Sequence, residues 1–463
     1  MSLPRDSSLR VDLSAPRRVH IVGVGGPGMS ATALLLVGAG HVVSGSDMVD
    51  TPVLARLRGA GVAAAAGHDP ARVTGADCVV YSTAVPADNP ELVAARAAGL
   101  QVIHRSSALA ALTAATRSVG VAGTHGKTTT TALLVTMLRG SGIDPSFYVG
   151  AEMLDIGTGA ATGLDGLLVI EADESDGTAE ALHLESLVLT NIDTDHLDRF
   201  VDDDGVNAGF AAIVGSVPGT VIACGDDARA RTVATTAGRH VETYGFGADN
   251  SVVVGDPVHT AEGMSFTVSI DGQGVAVNLP LRGRHNALNC AAALAMAVRL
   301  GADPRRAASA AARVGGVDRR FRERGRHRGA VLIDDYAHLP AEIEAALSAA
   351  GTHPSLTGRL IAVFQPNRYH RVAAMAGDYA DCFRAADVVF VTDIYASGTE
   401  RIEGVSGLMV ADAVRTAHHN VVWAERRDEL VSAVNAELSE GDVCISMGCG
   451  DISSFPDDLR GDP

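Results

Sequence analysis

Short apolar runs alternate along the chain with longer stretches rich in Ala and Leu. A run such as RRVHIVGV or DVCISMG has the length and composition of a buried strand, whereas CAAALAMAVRLG is typical of a buried helix. Strands alternating with helices favour an α/β fold with parallel sheets. The pattern divides into three such blocks without a low-complexity linker. It predicts a Rossmann-like domain at 1–113, a central P-loop-type α/β domain at 114–324 and a second Rossmann-like domain at 325–463.

The first block opens with a strand, the glycine-rich turn GVGGPGMS and a helix. A second predicted strand, HVVSGSD, ends at Asp47, about 20 residues further on, as in the dinucleotide fingerprint. Ser82 and Thr83 follow a third strand at its carboxyl end, where open α/β sheets bind ligands. The first block is therefore predicted to bind a nucleotide diphosphate.

The second block opens with VAGTHGKTTTT, residues 121–131. An apolar strand, a tight turn over residues 123–126 and a Thr-rich helix start can cradle phosphate with backbone N–H groups. The spacing Gly-x-x-Gly-Lys-Thr is shorter than the general P-loop pattern. The alternative interpretation is a glycine-containing turn with an exposed lysine.

Lys127 of this turn is the only lysine among 37 Lys and Arg residues. Arginine is a broad planar fork, whereas lysine is a compact charge on a thin stem. A cradle that threads one cation between phosphate oxygens can accept Lys and exclude Arg. We therefore expect Lys127 to contact phosphate and the Thr128 hydroxyl to contact Mg²⁺.

Polar side chains follow the next two predicted strands, LLVI and LVLT. They are Glu171, Asp173 and Glu174 after the first, and Asn191, Asp193, Asp195 and His196 after the second. Carboxylates at a strand end near a phosphate loop hold Mg²⁺ in many nucleotide-binding enzymes, and one imidazole can join a second metal position. A solvated acidic loop and a structural histidine are the alternatives.

Further polar groups flank predicted elements nearer the carboxyl end. They are His285, Asn286 and Asn289 at a helix start, Arg319 and Arg320, then Asp334, Asp335, Tyr336 and His338, and finally Asn367, Arg368, Tyr369, His370 and Arg371. Amides at a helix start can cap it or read a purine edge. Two arginines after a strand can clamp a carboxylate, and others can neutralise a developing phosphoryl charge. A charged surface is the alternative for most of these arginines.

Charge and composition exclude several classes of protein. The net charge of −18 argues against general nucleic-acid binding, which needs a basic face. The N-terminus lacks the apolar segment of a signal peptide, and no run of 18 apolar residues predicts a membrane span. Six cysteines without a CxxC pair indicate reduced, mostly buried thiols of a cytoplasmic protein.

Two functional classes remain open at this point. The glycine-rich turn alone is compatible with a nicotinamide-dependent oxidoreductase, but such an enzyme has no need for a phosphate loop with nearby carboxylates. A chain with both features needs two phosphorylated ligands. One would be a nucleoside triphosphate on the central block, and the other a nucleotide-diphosphate compound on the first.

The ordered motifs resemble those of the Mur ligase family over nearly the whole chain. They are GVGGPGMS, SGSD, NPELVAARAAG, GTHGKTTTT, EADESD, NIDTDHLD, GRHNALN, RRF, DDYAH, FQPNRY and GVSG. The resemblance implies three α/β domains that bind a UDP-sugar, ATP and an amino acid. It implies an ATP- and Mg²⁺-dependent ligase of peptidoglycan precursor synthesis, a monomer or homodimer with small-molecule substrates. The reaction joins an amino acid, L-alanine in the alanine-adding branch, to the lactyl carboxylate of UDP-N-acetylmuramate through an acyl phosphate.

The resemblance also implies roles for individual residues. The UDP-sugar would meet Gly25, Gly26, Gly28, Met29, Ser30, Ser46, Asp47, Ser82 and Thr83. ATP would meet Gly123, Thr124, His125, Gly126, Lys127, Thr128, Thr129, His285, Asn286, Asn289, Arg320 and Asp335. The amino acid would meet Tyr336, His338, Asn367, Arg368 and Arg371, and Thr128, Glu171 and His196 would hold metal. The catalytic set would be Lys127, Glu171, His196, Arg320 and His338.

Some positions depart from the family pattern. MSGIA is MSATA here, the terminal MGAGD is MGCGD, Leu339 and Asn367 replace histidines, and His370 replaces a small hydroxyl residue. The last three changes touch the expected amino-acid pocket. A specialised paralogue that joins another amine or another acid is therefore an alternative, as is an inactive, binding-only homologue.

Overall fold

The computed structural model describes residues 11–194, 200, 202–238 and 240–461. These residues form an α/β fold with three sheets, as the alternation of strands and helices predicted. They divide into two compact units. The first comprises Met1–Asp256, Phe266–Asn278 and Leu288–Gly315, and the second Pro257–Ser265, Leu279–Ala287 and Gly316–Pro463.

The first sheet has five parallel strands in the order β3-β2-β1-β4-β5. Its strands and helices are β1 (Arg18–Val22), α1 (Pro27–Gly38), β2 (Val42–Asp47), α2 (Pro52–Gly59), β3 (Ala63–Ala66), β4 (Cys78–Tyr81), α3 (Pro90–Ala97), β5 (Gln101–His104) and α4 (Arg105–Ala115), with a 3₁₀ helix at Pro70–Val73. Because β1 pairs with β2 on one side and β4 on the other, the chain reverses direction across the sheet at β1. Ligands bind at such a switch point, outside the carboxyl ends of the strands.

The second sheet runs in the order β15-β13-β12-β11-β10-β6-β9-β7-β8, and β14 and β16 pair with β15. Its strands are β6 (Arg117–Ala122), β7 (Ser146–Met153), β8 (Thr158–Ala161), β9 (Leu167–Glu171), β10 (Ser186–Leu189), β11 (Thr220–Cys224), β12 (His240–Gly245), β13 (Val252–Val254), β14 (Val258–His259), β15 (Met264–Ile270) and β16 (Gln273–Leu279). The helices of this stretch of chain are α5 (Lys127–Gly140), α6 (Thr178–Ala181), α7 (Asp203–Ser216), α8 (Ala228–Ala237), α9 (Arg284–Arg299) and α10 (Pro304–Ala311).

The third sheet lies in the second unit and has the order β17-β18-β22-β19-β20-β21. Its strands are β17 (Arg322–His327), β18 (Ala330–Asp335), β19 (Leu360–Phe364), β20 (Val388–Val391), β21 (Val421–Trp423) and β22 (Val443–Met447). Its helices are α11 (Pro340–Ala350), α12 (Tyr369–Met375), α13 (Leu408–Arg415), α14 (Arg427–Glu437) and α15 (Phe455–Arg460), with 3₁₀ turns at Ala376–Tyr379 and Asp451–Ser454. Only β17 runs antiparallel to its neighbour.

Apolar strands explain where the cores form. Strands β6, β9 and β10 are buried along almost their whole length, as expected for parallel strands covered on both faces. Five of the six cysteines are buried and Cys449 is partly exposed, and all six are free thiols. No helix of the described residues has the length and apolar character needed to span a membrane.

The domain boundaries at 113/114 and 324/325 stay predictions, and β17 extends across the second of them.

Candidate active site

Three loops meet at one edge of the second sheet. Strand β6 pairs in parallel with β9 on one side and with β10 on the other. Parallel neighbours end at the same edge, so the loops that follow these three strands lie side by side. This register brings the loop containing Lys127, which we call the lysine loop (residues 123–127), between the acidic loop after β9 and the polar loop after β10.

The Lys127 ammonium group is enclosed by oxygen atoms. Its Nζ donates to the Gly123 carbonyl at 2.6 Å, to the Thr124 carbonyl at 3.2 Å and to both carboxylate oxygens of Glu174 at 3.0 Å. The Lys127 side chain is 12% exposed and that of Glu174 is 3% exposed. Gly126, just before the helix, has φ 80°, a left-handed conformation that favours glycine. The turn therefore folds back over the lysine.

Burial and charge act in opposite directions on this pair. Burial opposes charge on Lys127, but Glu174, Asp173 and Glu171 attract it, and the pKa of Lys127 is raised. Burial also raises the pKa of Glu174 to about 7, against the attraction of Lys127. We expect Lys127 to carry its charge at neutral pH, because three carboxylates surround one ammonium group.

Thr128 and Glu171 also lie together. The Thr128 hydroxyl donates to Glu171 Oε1 at 3.0 Å, and the Gly150 amide donates to Glu171 Oε2 at 2.7 Å. Burial raises the pKa of Glu171, and nearby Asp173 adds to the rise. A hydroxyl and a carboxylate in an acidic setting are ligands that suit Mg²⁺.

No group of three or more His, Cys, Asp or Glu side chains within the described part of the chain is arranged to hold a metal alone. That finding is compatible with Mg²⁺, which typically takes one or two carboxylates and completes its coordination with water and substrate phosphates. Glu171 and Thr128 fit such an ion.

The loop after β10 fixes the lysine loop through hydrogen bonds. Asn191 Oδ1 accepts from the His125 amide at 2.8 Å, and its Nδ2 donates to the His125 carbonyl at 3.0 Å. The His125 ring lies 3.0 Å from Asp193 Oδ2, and the Asp193 amide donates to Thr124 Oγ1 at 2.8 Å. The hydrogen bond from His125 lowers the pKa of Asp193. His196, which the sequence predicts beside this loop, lies outside the described residues.

The predicted adenine-binding residues begin helix α9. Asn289 lies against the lysine loop, because a Cβ added at Gly126 would come within 2.6 Å of Asn289 Oδ1. In the second unit, Asn286 Nδ2 donates to the Arg282 carbonyl at 2.7 Å. Burial, with a smaller effect of Arg320, lowers the pKa of His285 to about 4, so His285 is neutral at pH 7.

The glycine-rich turn of the first sheet is held against the end of β2. The Gly25 amide donates to Asp47 Oδ2 at 2.8 Å, and the Gly26 amide donates to the Gly23 carbonyl at 3.2 Å. Helix α1 then starts at Pro27. The remaining predicted contacts of the UDP-sugar differ in exposure: Met29 and Ser46 are buried, Gly28, Ser30 and Ser82 are partly exposed, and Thr83 is exposed.

Ser46 belongs to a buried polar network. Its hydroxyl donates to Glu91 Oε2 and lies 2.9 Å from His68 Nδ1. Glu91 also accepts from the Asp69 amide at 3.1 Å and lies 3.4 Å from His20 Nε2. Burial alone would raise the pKa of Glu91, but these hydrogen bonds lower it to about 2. The network fixes the carboxyl end of β2. The motif NPELVAARAAG contains Glu91, but the sequence did not predict that Glu91 contacts Ser46.

Arg319 and Arg320 have different surroundings in the second unit. Arg319 Nη2 donates to the Gly448 carbonyl at 2.6 Å and its Nη1 donates to the Cys449 carbonyl at 3.2 Å. These bonds connect the segment before β17 to the loop that follows β22. Both guanidinium groups lie 5.0 Å from the centre of the Tyr336 ring. The Arg320 amide donates to the Val317 carbonyl at 3.1 Å, whereas no described residue accepts a hydrogen bond from its guanidinium group, which leaves that group available to an anion.

Asp335 and His338 follow β18. Asp335 accepts from the Phe321 and Ala337 amides, both at 2.7 Å, and burial raises its pKa. His338 Nδ1 lies 3.2 Å from Glu342 Oε2, and the His338 ring packs edge-on to Tyr336 at 5.5 Å. Glu342, on helix α11, is a partner that sequence reasoning missed.

The loop after β19 holds a buried arginine. Arg371 Nη1 donates to Asn367 Oδ1 at 2.8 Å, and both side chains are buried. Arg368 has φ 61°, which is uncommon for a residue with a side chain. Burial raises the pKa of the Cys449 thiol, while Arg371, Arg319 and Arg368 oppose the rise. Positive charge therefore gathers near the end of this sheet.

The structure brings Lys127, Thr128, Glu171 and Asn289 together in the first unit, and it gathers Tyr336, His338 and Arg320 in the second.

Sequence reasoning missed the contacts of two further residues. The sequence offered Glu174 only as one of three candidate carboxylates for Mg²⁺, and its ion pair with Lys127 was not predicted. Arg105 directly follows the strand LQVIH, and a charged residue at a strand's carboxyl end was the available signal.

Comparison with known proteins finds the same family in successive parts of the chain. Family models match residues 18–117 (Mur ligase family, catalytic domain), 121–297 (Mur ligase middle domain) and 319–450 (Mur ligase, glutamate ligase domain). UDP-N-acetylmuramate–L-alanine ligases from Paenarthrobacter aurescens and Renibacterium salmoninarum are 42% and 39% identical, covering 95% and 96% of both chains. The crystal structure of UDP-N-acetylmuramate–alanine ligase from Thermotoga maritima superposes with a TM-score of 0.78 at 27% identity, covering 96% of this chain and 98% of that one.

Proposed function

Because the chain belongs to the Mur ligase family, we propose that it joins L-alanine to the lactyl carboxylate of UDP-N-acetylmuramate with conversion of ATP to ADP and phosphate. The observation that carries this proposal is the identity of about 40% with UDP-N-acetylmuramate–L-alanine ligases over 93–96% of each protein. The product would be a peptidoglycan precursor.

The chemistry needs activation of the acid. A carboxylate and an amine do not condense spontaneously at neutral pH. The γ-phosphoryl group of ATP would pass to a carboxylate oxygen, which gives an acyl phosphate and ADP. The amine nitrogen of alanine then attacks the carbonyl carbon, loses a proton, and phosphate leaves from the tetrahedral intermediate.

The protein's contribution would be positioning and charge stabilisation. Backbone N–H groups of the lysine loop and the start of helix α5 would bind the ATP phosphates. Lys127 would then exchange its bonds to Glu174 for bonds to phosphate oxygens. Asn289 lies beside the same loop and would contact the adenine of the bound nucleotide.

Thr128 and Glu171 would hold Mg²⁺, which when bound neutralises phosphate charge. The carboxyl groups of Glu171, Asp173 and Glu174 all lie close enough to act on the charge of Lys127, and such an acidic setting suits a divalent cation. His196 would belong to a second metal position.

The second unit would bind the amine substrate. Arg368 and Arg371 would contact the alanine carboxylate, while Tyr336 and His338 would form the wall of the pocket. The Arg320 guanidinium group, which lies over the Tyr336 ring and has no hydrogen-bond acceptor among the described residues, would reach the γ-phosphate. Asp335 would accept from the ribose, in addition to its two backbone amides.

The experiment that tests the function measures phosphate release with ATP, UDP-N-acetylmuramate and one amino acid at a time. We expect L-alanine to stimulate release most, and omission of any substrate to abolish it. Absence of stimulation by any amine would contradict the muramate ligase function.

The same panel tests a specialised paralogue. Asn367 in place of the family's histidine accepts a hydrogen bond from Arg371, one of the two arginines expected at the amino-acid carboxylate. Preference for an amino acid other than alanine would therefore favour a changed amine pocket. The oxidoreductase alternative finds no support, since Mur ligase models match all three parts of the chain.

A further inference from the structure

A cavity of about 210 Å³ in the first unit extends from the glycine-rich turn of the first sheet to the acidic loop after β9. Gly28, from the glycine-rich turn, lines one part of it, and Gly150, Glu171 and Asp173 line another. The acid substrate proposed above must extend between these places, with its diphosphate at the glycine-rich turn and its reacting carboxylate near Glu171. The cavity is therefore the space for the sugar and its lactyl group.

Arg105 contributes the one cationic side chain among the described residues that line this cavity. It begins helix α4, directly after the strand β5. Its Nη2 donates to Asp176 Oδ2 at 2.7 Å, and its Nη1 lies 3.4 Å from the Tyr148 hydroxyl. Asp176 and Tyr148 belong to the chain around the second sheet, so Arg105 is fixed at the boundary between the two sheets.

The Arg105 guanidinium group has N–H donors that the described hydrogen bonds do not use. It carries five N–H bonds, and the described contacts use two of them. The buried Nε atom has no hydrogen-bond partner among the described residues. A buried donor without a partner costs free energy, which an incoming carboxylate with two acceptor oxygens would recover.

Gly28 permits this position of Arg105. A Cβ at residue 28 would lie 2.0 Å from Arg105 Nη1 and 3.0 Å from the Tyr148 hydroxyl. The glycine thus lets the guanidinium group approach the backbone of the turn that would bind the diphosphate. Arg105 consequently stands between the expected diphosphate and the carboxylates Glu171 and Asp173.

Charge indicates which part of the substrate needs Arg105. A diphosphate on the glycine-rich turn already has the backbone N–H groups and the start of helix α1. A substrate carboxylate that enters the cavity meets Glu171 and Asp173, which repel it. We propose that Arg105 binds the lactyl carboxylate of the acid substrate and offsets this repulsion. The proposal rests on the proposed function, since it assigns one residue to that substrate.

The test compares two ligands that differ at the carboxylate. UDP-N-acetylglucosamine has the same nucleotide and a closely related sugar but lacks the lactyl group. Binding of each ligand is measured by calorimetry for the wild type, Arg105→Gln and Arg105→Lys. We expect Arg105→Gln to weaken UDP-N-acetylmuramate binding about tenfold or more, the usual effect of losing a charged hydrogen bond. Binding of UDP-N-acetylglucosamine should stay nearly unchanged.

Arg117→Gln is the matched control, because Arg117 forms an ion pair with Glu185 at 3.0 Å on the surface of the same unit. It should leave both affinities at their wild-type values. Arg105→Lys keeps a charge opposite Asp176 and should show the same selective loss in smaller measure. It also serves as the test if Arg105→Gln does not fold.

Two results would overturn the proposal. Equal weakening of both ligands would assign Arg105 to the diphosphate, and unchanged affinity for both would remove it from the substrate site. The proposed function is judged separately, by turnover of UDP-N-acetylmuramate in the wild type. In the same assays we expect Arg105→Lys to raise the KM for the acid substrate and leave the KM for ATP unchanged.

Discussion

At the scale of single residues, the Lys127 ammonium group is closely surrounded by hydrogen-bond acceptors. Four oxygen atoms lie within 3.2 Å of its Nζ, two from the backbone of its own loop and two from Glu174. A thin stem can bring one nitrogen into such a space, whereas a guanidinium group is a plane of three nitrogens. Side-chain shape, in addition to charge, therefore matters at this position.

Replacing Lys127 by arginine tests that argument. The charge remains, but the broader head group should displace the Gly123 and Thr124 carbonyls or stay outside the cradle. We expect kcat to fall on the order of 10²-fold or more, the usual loss on removing one electrostatic contact with a transition state. Steady-state phosphate release, with melting temperature as a check of folding, measures the effect.

Arg139→Lys is the matched control for this substitution. Arg139 lies near the end of the same helix α5 and pairs with Asp144 at 3.0 Å. It should turn over close to the wild-type rate. If Lys127→Arg were equally active, the shape of the cation would not matter to the reaction.

Residue chemistry was predictable where it depends on local sequence. Lys127, Thr128 and Glu171 follow predicted strands, and the structure brings them together at one sheet edge. Glu91 and Arg105 were not predicted, because their partners Ser46 and Asp176 are distant in sequence. No periodicity in a single chain reveals such pairs.

At the scale of elements, the turn before helix α5 combines two demands on glycine. Gly123 and Gly126 have φ 130° and 80°, and both are close to other groups. The Asn289 side chain packs against Gly126, and the backbone of Asn191 packs against Gly123. The lysine loop is thus held between helix α9 and the loop after β10.

Gly126→Ala should disrupt this element. Its left-handed φ costs about 1–2 kcal/mol for a residue with a Cβ. The added Cβ would in addition meet Asn289 Oδ1 at 2.6 Å. We expect lower stability in urea unfolding and a higher KM for ATP.

Gly142→Ala separates strain from crowding. Gly142 has φ 87° and follows the same helix, but no heavy atom outside its neighbours lies within 4 Å of an added Cβ. It should lose about 1–2 kcal/mol of stability from backbone strain alone and keep the KM for ATP. The same rise of KM in both variants would mean that contact with Asn289 is irrelevant.

The sequence predicted whether a segment forms a strand or a helix more fully than it predicted which strands lie side by side. Alternating apolar runs and helices predicted parallel sheets, and strands such as β1 and β22 lie where RRVHIVGV and DVCISMG placed them. The order β10-β6-β9 was not predicted, because strand order depends on packing between distant segments. Yet that order decides which loops form the site.

At the scale of the whole molecule, the chain contains two edges suited to phosphorylated ligands. The glycine-rich turn after β1 is fixed by Asp47, and the lysine loop after β6 is fixed by Asn191 and Asp193. Both belong to the first compact unit. A ligand that binds only the folded state adds to its stability.

UDP-N-acetylmuramate should therefore raise the melting temperature. A ligand at about 100 times its Kd contributes roughly 2.7 kcal/mol, which corresponds to several degrees for a protein of this size. NAD should have no such effect, because the proposed site is for a UDP-sugar. Thermal unfolding with each ligand measures the difference, and stabilisation by NAD alone would favour an oxidoreductase.

The enclosure of the single lysine has a practical consequence for labelling. Reagents directed at amines can modify the chain terminus and one side chain, which is 12% exposed and paired with Glu174. Mass spectrometry after mild acylation would then distinguish two places in the molecule, the chain terminus and the Lys127 side chain. Because no other side chain among the 463 residues carries an amine, the extent of Lys127 acylation would show whether a ligand occupies the lysine loop. No engineered tag would be needed.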